Sequence, residues 1–265
     1  MKSKLILMPL CLTVFLTGCK KDDFELPPGL VQAKSNLTAD LSALDQKMAS
    51  AVLYIGSINA DTSLIRAKMA DLAEMSPEIT DFGWVTPDGI LQLIEPSLYH
   101  GSQGVNISTQ DHIIKSFNTR QPVLSKVFMS VEGFSSVVLI HPQVTNSVLY
   151  GGLSALFYPE NLLENILKPI FEGQDFELWV MEKGGRIIYD QDDFEIGLDL
   201  FTDPLYAGFP ELITAGHKID NEESGTTTYS FYKAGTQETV TKLTYWTTYS
   251  LHGTEWKIVW VKPQP

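Results

Sequence analysis

Phe82-Gly83-Trp84-Val85-Thr86-Pro87-Asp88-Gly89-Ile90 is the stretch on which the fold turns. Phe82 and Trp84 alternate with Gly83 and Val85, the two-residue period of a strand. Pro87-Asp88-Gly89 is a turn with a mechanism, since proline presets one dihedral and glycine accepts a positive φ. Ile90 to Ile94 then reads as the returning strand. A hairpin of the same build recurs at Phe176–Met181, with a turn at Lys183-Gly184-Gly185 and a return at Arg186–Tyr189.

Working outward, each hairpin is followed by the same series of elements. The first leads into a Gly-, Ser- and Asn-containing loop over 95–107 and a short helix over Ser108–Phe117. Three apolar strands follow, Val123–Val131, Phe134–His141 and Ser147–Phe157. The second leads into a Gly/Asp-rich loop and a helix near Pro204–Ala215. Its strands are Thr226–Tyr232, Thr239–Ser250 and Glu255–Lys262. Glu132-Gly133 and Gln143–Asn146 supply turns, so the three strands of the first set form an antiparallel meander. A repeated supersecondary order points to duplicated modules. Between them, Pro159 to Leu167 reads as a connecting helix.

Upstream, Leu37, Leu41, Leu44, Met48, Val52, Ile55 and Ile58 recur at spacings of three and four and define one helical stripe. A second helical pattern runs through Leu64, Ile65, Met69, Leu72 and Met75 to Pro77. The spacing predicts either two helices or one with an interruption near Gly56–Asp61. The expected boundaries are a signal peptide over 1–18, a flexible tether over 19–35 and a helical segment over 36–80. A first module over 81–158, a connecting helix over 159–174 and a second module over 175–265 complete the chain.

The first residues are an export signal: Lys2 and Lys4, an apolar run from Leu5 to Leu16, then Thr17-Gly18-Cys19. The run is too short to span a bilayer, which takes about 20 apolar residues. Leu16-Thr17-Gly18-Cys19 resembles the lipobox of bacterial and archaeal lipoproteins. That resemblance implies cleavage before Cys19 and acylation of its thiol. With Cys11 lost in the signal, disulfides, Cys-ligated metals and cysteine nucleophiles are excluded.

Lys and Arg number 19 against 32 Asp and Glu, a net charge of −13, and cleavage removes Lys2 and Lys4 as well. Such a surface repels phosphate backbones and anionic lipid heads, which argues against nucleic acid as a partner and leaves acyl chains to hold the membrane. Hydrophobic residues make up 44% of the chain, too many for a disordered one.

The layout resembles the double Cache sensor domains, PAS-like extracytoplasmic modules of chemoreceptors and sensor kinases. The resemblance rests on the first hairpin, on Gly104-Val105-Asn106-Ile107-Ser108, on Gln121-Pro122-Val123, on His141-Pro142-Gln143-Val144 and on Gly151-Gly152-Leu153. Trp179-Val180-Met181-Glu182-Lys183-Gly184-Gly185-Arg186-Ile187-Ile188 carries it in the second module. It implies an α+β fold: a long N-terminal helix followed by two Cache modules, each an antiparallel sheet of about five strands flanked by helices. It also implies a membrane-distal module that holds the ligand and a membrane-proximal module that passes the change onward. Family members usually continue into a transmembrane helix and an output domain. This sequence stops at Pro265 with neither, so the expectation is a sensor that acts through a separate membrane receptor or kinase. Amino-acid-sensing relatives carry an arginine, aromatics and an aspartate at positions that fall near Gln110, His112, Ile113 and Leu156. None matches, so no ligand is transferred from the family.

No phosphate-cradling loop, His-Glu-x-x-His helix or nucleophile elbow occurs, and no enzyme is expected. The histidines at 100, 112, 141, 217 and 252 have no ligand-like spacing, and no metal or cofactor is expected. Asp190, Asp192 and Asp193 form an acidic loop that reads as a solvated turn rather than a calcium site. Trp84, Tyr99, Lys126, His141 and Tyr150 are the candidate ligand-binding residues of the distal module, an apolar lining with a few placed polar groups. Trp246, Trp256 and Trp260 read as core. The sequence thus predicts an extracytoplasmic lipoprotein of the cell envelope that binds a small organic molecule of unspecified identity. The alternative is an assembly lipoprotein that uses the same scaffold to dock a protein.

Overall fold

The computed structural model describes residues 24–58 and 61–264. The signal peptide and Cys19 lie outside the described residues. Helix α1 runs over Pro28–Ser57 and buries Leu30, Ala33, Leu37, Leu41, Leu44, Met48, Ala51 and Ile55 along one stripe. It begins at Pro28, inside the stretch expected to be tether. Pro28 sits in the first turn, where its missing N–H costs nothing, and Leu30 and Ala33 already fall on the buried stripe. Helix α2 follows over Thr62–Met75, after an interruption at the place expected. Asp61 caps it, its Oδ1 accepting from the backbone N–H of Ser63 at 2.9 Å and of Leu64 at 3.2 Å.

The first lobe, labelled distal after the expectation above, carries strands β1 (Asp81–Val85), β2 (Leu91–Glu95), β3 (Val123–Leu124), β4 (Phe128–Met129), β5 (Ser135–Thr145) and β6 (Val148–Phe157), with helix α3 (Asp111–Thr119) outside. Helix α4 (Pro159–Phe171) leads to the proximal lobe. That lobe contains β7 (Glu177–Glu182), β8 (Ile187–Tyr189), helix α5 (Pro210–Asn221), β9 (Ser224–Tyr232), β10 (Thr239–Leu251) and β11 (Thr254–Pro263). The sheet orders are β2-β1-β6-β5-β3 and β8-β7-β11-β10-β9, the same path traced twice, with β4 an extra short strand beside β5. All described pairings are antiparallel. The expected duplicated modules are present, and so is the long N-terminal helix. No helix of the described residues is long and apolar enough to cross a membrane.

Each sheet has two buried faces, and the apolar clusters sort accordingly. One continuous cluster joins α1 and α2 to the inner faces of both sheets, from Phe82, Trp84 and Leu139 in the distal lobe to Val180, Trp256 and Ile258 in the proximal lobe. A separate cluster lies under α3 on the distal outer face, with Val85, Ile113 and Ile140. Another lies under α5 on the proximal outer face, with Tyr206, Phe231 and Trp246. Strand alternation sets these assignments: along β1, Phe82 and Trp84 point to α1, while Asp81, Gly83 and Val85 point to the α3 side.

Leu41, 1% exposed, should be far more sensitive to truncation than Leu53 on the same helix, which is 77% exposed. Leu41→Ala is expected to lower unfolding free energy by about 2–5 kcal/mol and Leu53→Ala by well under 1 kcal/mol. Denaturant melts would measure both; equal losses would refute the shared stripe.

Candidate functional site

The outer face of the distal sheet is hollow beneath α3, and the sequence explains why. Gly83 has no side chain where a Cβ would come within 2.6 Å of Ser154 Oγ and 2.8 Å of Leu91 Cδ1. Around that gap a small cavity of about 30 Å³ is lined by Asp81, Gln110, His112, Phe128, Ser130 and Ser154, with aliphatic neighbours. This is room for about one water molecule. The cavity shares Gln110, His112 and Phe128 with a wider surface groove of about 540 Å³ that reaches Gly253 and Thr254 of the proximal lobe. The His112 and Phe128 rings lie 4.7 Å apart, tilted by 48°, so this pair stands in the walls of both spaces.

Two polar groups of the cavity have no partner. Asp81 is 4% exposed and its Oδ2 accepts no hydrogen bond; the Ser130 hydroxyl is equally buried and unpaired. Buried polar atoms are nearly always satisfied, and each unsatisfied one asks for a ligand, water or function. Burial, and secondarily the Glu132 carboxylate, push Asp81 up to about 8. Burial likewise pushes His112 down to about 4. Both side chains are therefore held neutral near pH 7.

The matching hollow of the proximal lobe is finished differently. Its acidic loop is solvated only in part: Asp193 is exposed and Asp190 and Asp192 are half-buried, while Glu195 beside them is buried and accepts from the Tyr206 hydroxyl at 2.9 Å. Lys242 donates to Glu177 at 2.8 Å, and Asp192 accepts from the backbone N–H of Gly235. The polar groups there are largely partnered within the protein.

The five residues expected to form the distal site are not brought together. Trp84 is 2% exposed and packs inward against the α1 cluster, its ring against Gly151. Tyr99 stands in the 3-10 turn over Ser97–Ser102, half-buried beside a different groove with Leu98 and Tyr158. Lys126 lines the wider groove and donates to the Lys183 carbonyl at 3.1 Å. His141 turns toward α1, where Asp45 accepts its hydrogen bond, because it shares a sheet face with Leu139 and not with Ile140. Tyr150 is exposed on β6. By contrast, Gln110, His112, Ile113 and Leu156, near which the resemblance puts the relatives' ligand residues, all line the distal cavity. Asp81, which sequence reasoning missed, is paired directly with Leu156 across β1 and β6. Paired residues on adjacent antiparallel strands point to one face. The signal that would have found it is an acidic residue placed two before Gly83, on the same face of an otherwise buried strand.

Comparison with known proteins places this geometry. Residues 39–159 match the family model for the HK/GC/Chemotaxis protein-like sensor domain. The extracellular ligand binding receptor from Desulfohalobium retbaense DSM5692 is 25% identical, with a TM-score of 0.75 over 88% of this chain and 39% of that one. The chain therefore spans well under half of that receptor. The ligand-binding domain of the Pseudomonas aeruginosa PAO1 amino acid chemoreceptor PctB, in complex with L-Arg, is 12% identical. Its TM-score is 0.65 over 89% of this chain and 92% of that one. The corresponding domain of PctC from the same organism, in complex with GABA, is 14% identical, with a TM-score of 0.65 over 88% and 96%. No curated protein matches by sequence. The fold is that of these ligand-binding domains, and residues 39–159 carry the match to the sensor-domain family model.

Because the folded state holds a proton on Asp81 that the unfolded chain releases, this group's stabilising contribution is complete below about pH 4. It is lost as pH rises to about 8. Asp81→Asn, which does not titrate, should therefore gain on the ligand-free wild type between pH 5 and 9, by on the order of 2–4 kcal/mol. Thermal or denaturant melts across that range read the difference; a difference flat in pH would refute the buried, unpartnered carboxyl.

Proposed function

We propose that this double Cache sensor domain is the extracytoplasmic, ligand-binding part of a signalling system. Its ligand is a small organic molecule bearing a protonated nitrogen, bound in the distal cavity against Asp81. The observation that carries the reading is the Asp81 Oδ2, buried and without a partner in a cavity whose other wall is α3. A cationic nitrogen arriving there takes the place of the proton and forms a charge-assisted hydrogen bond in a site sheltered from water. Ser130 and Gln110 offer further hydrogen-bonding atoms around it. Support comes from the chemistry of the complexes of similar fold, since L-Arg and GABA each carry such a nitrogen.

A ligand of several heavy atoms does not fit a cavity of about 30 Å³, so binding requires the His112–Phe128 wall to give way toward the groove. That wall is tied to the other lobe. Val127 N–H donates to the Glu182 carboxylate at 3.0 Å, Lys126 to the Lys183 carbonyl, and Thr254 to the Leu124 carbonyl at 2.6 Å. Displacing the strip over 123–129 therefore disturbs proximal-lobe contacts, which is how a bound ligand shifts the population of lobe arrangements. The change is read by a separate membrane receptor or kinase, and acylation of Cys19 anchors the domain to a membrane of the cell envelope on its extracytoplasmic face.

Calorimetry with a panel of amino acids, diamines, amine-free carboxylates and nucleobases tests this. The expected hit carries an ammonium or guanidinium group, binds with affinity rising about tenfold per pH unit from 6 toward 8, and loses at least tenfold in Asp81→Asn. A hit indifferent to Asp81→Asn, or confined to amine-free carboxylates, would overturn the reading.

A further inference from the structure

A second constellation lies where α1 meets both lobes, away from the distal cavity. Asp45 projects from α1, His141 from β5 of the distal lobe, and His252 from the turn between β10 and β11 of the proximal lobe. The Nε2 atoms of both histidines approach the same oxygen, Asp45 Oδ1, at 2.7 Å from His141 and 2.6 Å from His252. All three ligand-type atoms lie within 4.8 Å of one another. The two imidazoles meet edge to face, with centroids 5.8 Å apart and planes at 88°, so neither ring blocks the other's nitrogen. Close by, the Tyr249 hydroxyl is buried and without a hydrogen-bond partner, within electrostatic reach of the Asp45 carboxylate.

We propose that Asp45, His141 and His252 form a site for a divalent transition-metal ion, with zinc the best fit, which staples the two lobes to the long helix. Two imidazole nitrogens and one carboxylate oxygen are the donor set of zinc and its late first-row neighbours; magnesium and calcium prefer all-oxygen ligands. Three protein ligands leave a fourth position open, for water or a group from outside. Tetrahedral ligands about 2.0–2.1 Å from zinc stand roughly 3.3 Å apart. The two separations from Asp45 Oδ1 are shorter, as expected of ligands drawn together by shared protons. Asp45 needs to retreat by less than about 1 Å to admit the ion. Its side chain and that of His252 are 25% and 24% exposed, which gives both an entry path and room to move, while His141 is held firm at 7%. A neutral imidazole carries a single proton, so ligation through Nε2 places that proton on Nδ1 of each ring.

The proposal does not depend on a ligand in the distal cavity. Its functional consequence follows from connectivity: an ion there cross-links residues of the long helix, the distal sheet and a proximal turn. Any rearrangement between the lobes must then keep or break that staple.

The test uses tag-free, metal-stripped protein titrated with Zn²⁺ by calorimetry, and with Co²⁺ by visible absorption. Expected are one ion per chain, a micromolar or tighter Kd, a thermal midpoint raised by several degrees, and a tetrahedral Co²⁺ band. Ca²⁺ and Mg²⁺ should move none of these. His252→Asn is the main variant, because position 252 sits at φ +46 on a turn and asparagine tolerates that conformation, so folding is preserved. It should weaken Zn²⁺ binding about tenfold or more and abolish the Co²⁺ band; Asp45→Asn should do the same. Zn²⁺ binding that survives His252→Asn would place the ion elsewhere, for example at Asp190, Asp192 and Glu195, and would overturn the proposal. So would the absence of stoichiometric binding to the wild type.

Discussion

A single helical stripe serving two sheets is the constraint on which the rest of the structure depends. Leu30 to Ile55 of α1 must be buried against the inner faces of both lobes, and one apolar cluster runs without a break from Phe82 to Ile258. Each fully buried aliphatic side chain contributes roughly 1.5–3 kcal/mol relative to exposure, so the stripe outweighs any single polar contact between the lobes. It also leaves little freedom: neither sheet can slide along the helix without uncovering part of a shared core. What remains adjustable is the outer side of each sheet, where α3 and α5 cover separate clusters.

Those outer sides show how one topology yields two different lobes. In the proximal lobe, Trp246 packs so closely over Gly225 that an added Cβ would come within 2.2 Å of its ring, and Tyr206 and Lys242 answer the buried carboxylate of Glu195 and the half-buried one of Glu177. In the distal lobe, Gly83 opens a gap and Asp81 and Ser130 are left without partners. A buried polar group without a partner costs roughly 1–3 kcal/mol, more when it is charged; the proximal lobe partners Glu195 through Tyr206 but leaves Gln191 Nε2 without a partner. The asymmetry, and not the fold, is the reason for proposing the distal lobe as the binding one.

Much of this was legible in the sequence because it rests on local signals. The hairpin at Pro87-Asp88-Gly89, its counterpart at Lys183-Gly184-Gly185, and the three-and-four spacing from Leu37 to Ile55 are short-range patterns with short-range causes. The start of α1 was misplaced because Pro28 and Gly29 read as tether, while Leu30 and Ala33 matter only once the sheets are there to bury them. The site was less legible for a related reason. Alternation states that Trp84 and Asp81 face opposite ways, but not which face is the hollow one; that is decided by α3 packing from a distance. His141 and His252 carry no local spacing at all, and only the docking of both lobes on α1 brings them to one carboxylate.

The route from the cavity to the rest of the molecule follows from the same geometry. Phe128 belongs to β4, a strand of two residues that hangs on the edge of β5, so its ring moves more cheaply than one in the sheet's interior. The residue before it, Val127, gives its N–H to Glu182, whose carboxyl is held above its usual range by burial, with that hydrogen bond opposing the shift only in part. If Phe128 swings outward to admit a ligand, Val127 cannot keep its position, and Glu182 is left buried with its acceptor bond broken. The proximal lobe must respond, either by following the strip or by protonating Glu182. A pocket opened at this wall is therefore coupled to the second lobe by the cost of leaving one buried carboxylate unsatisfied.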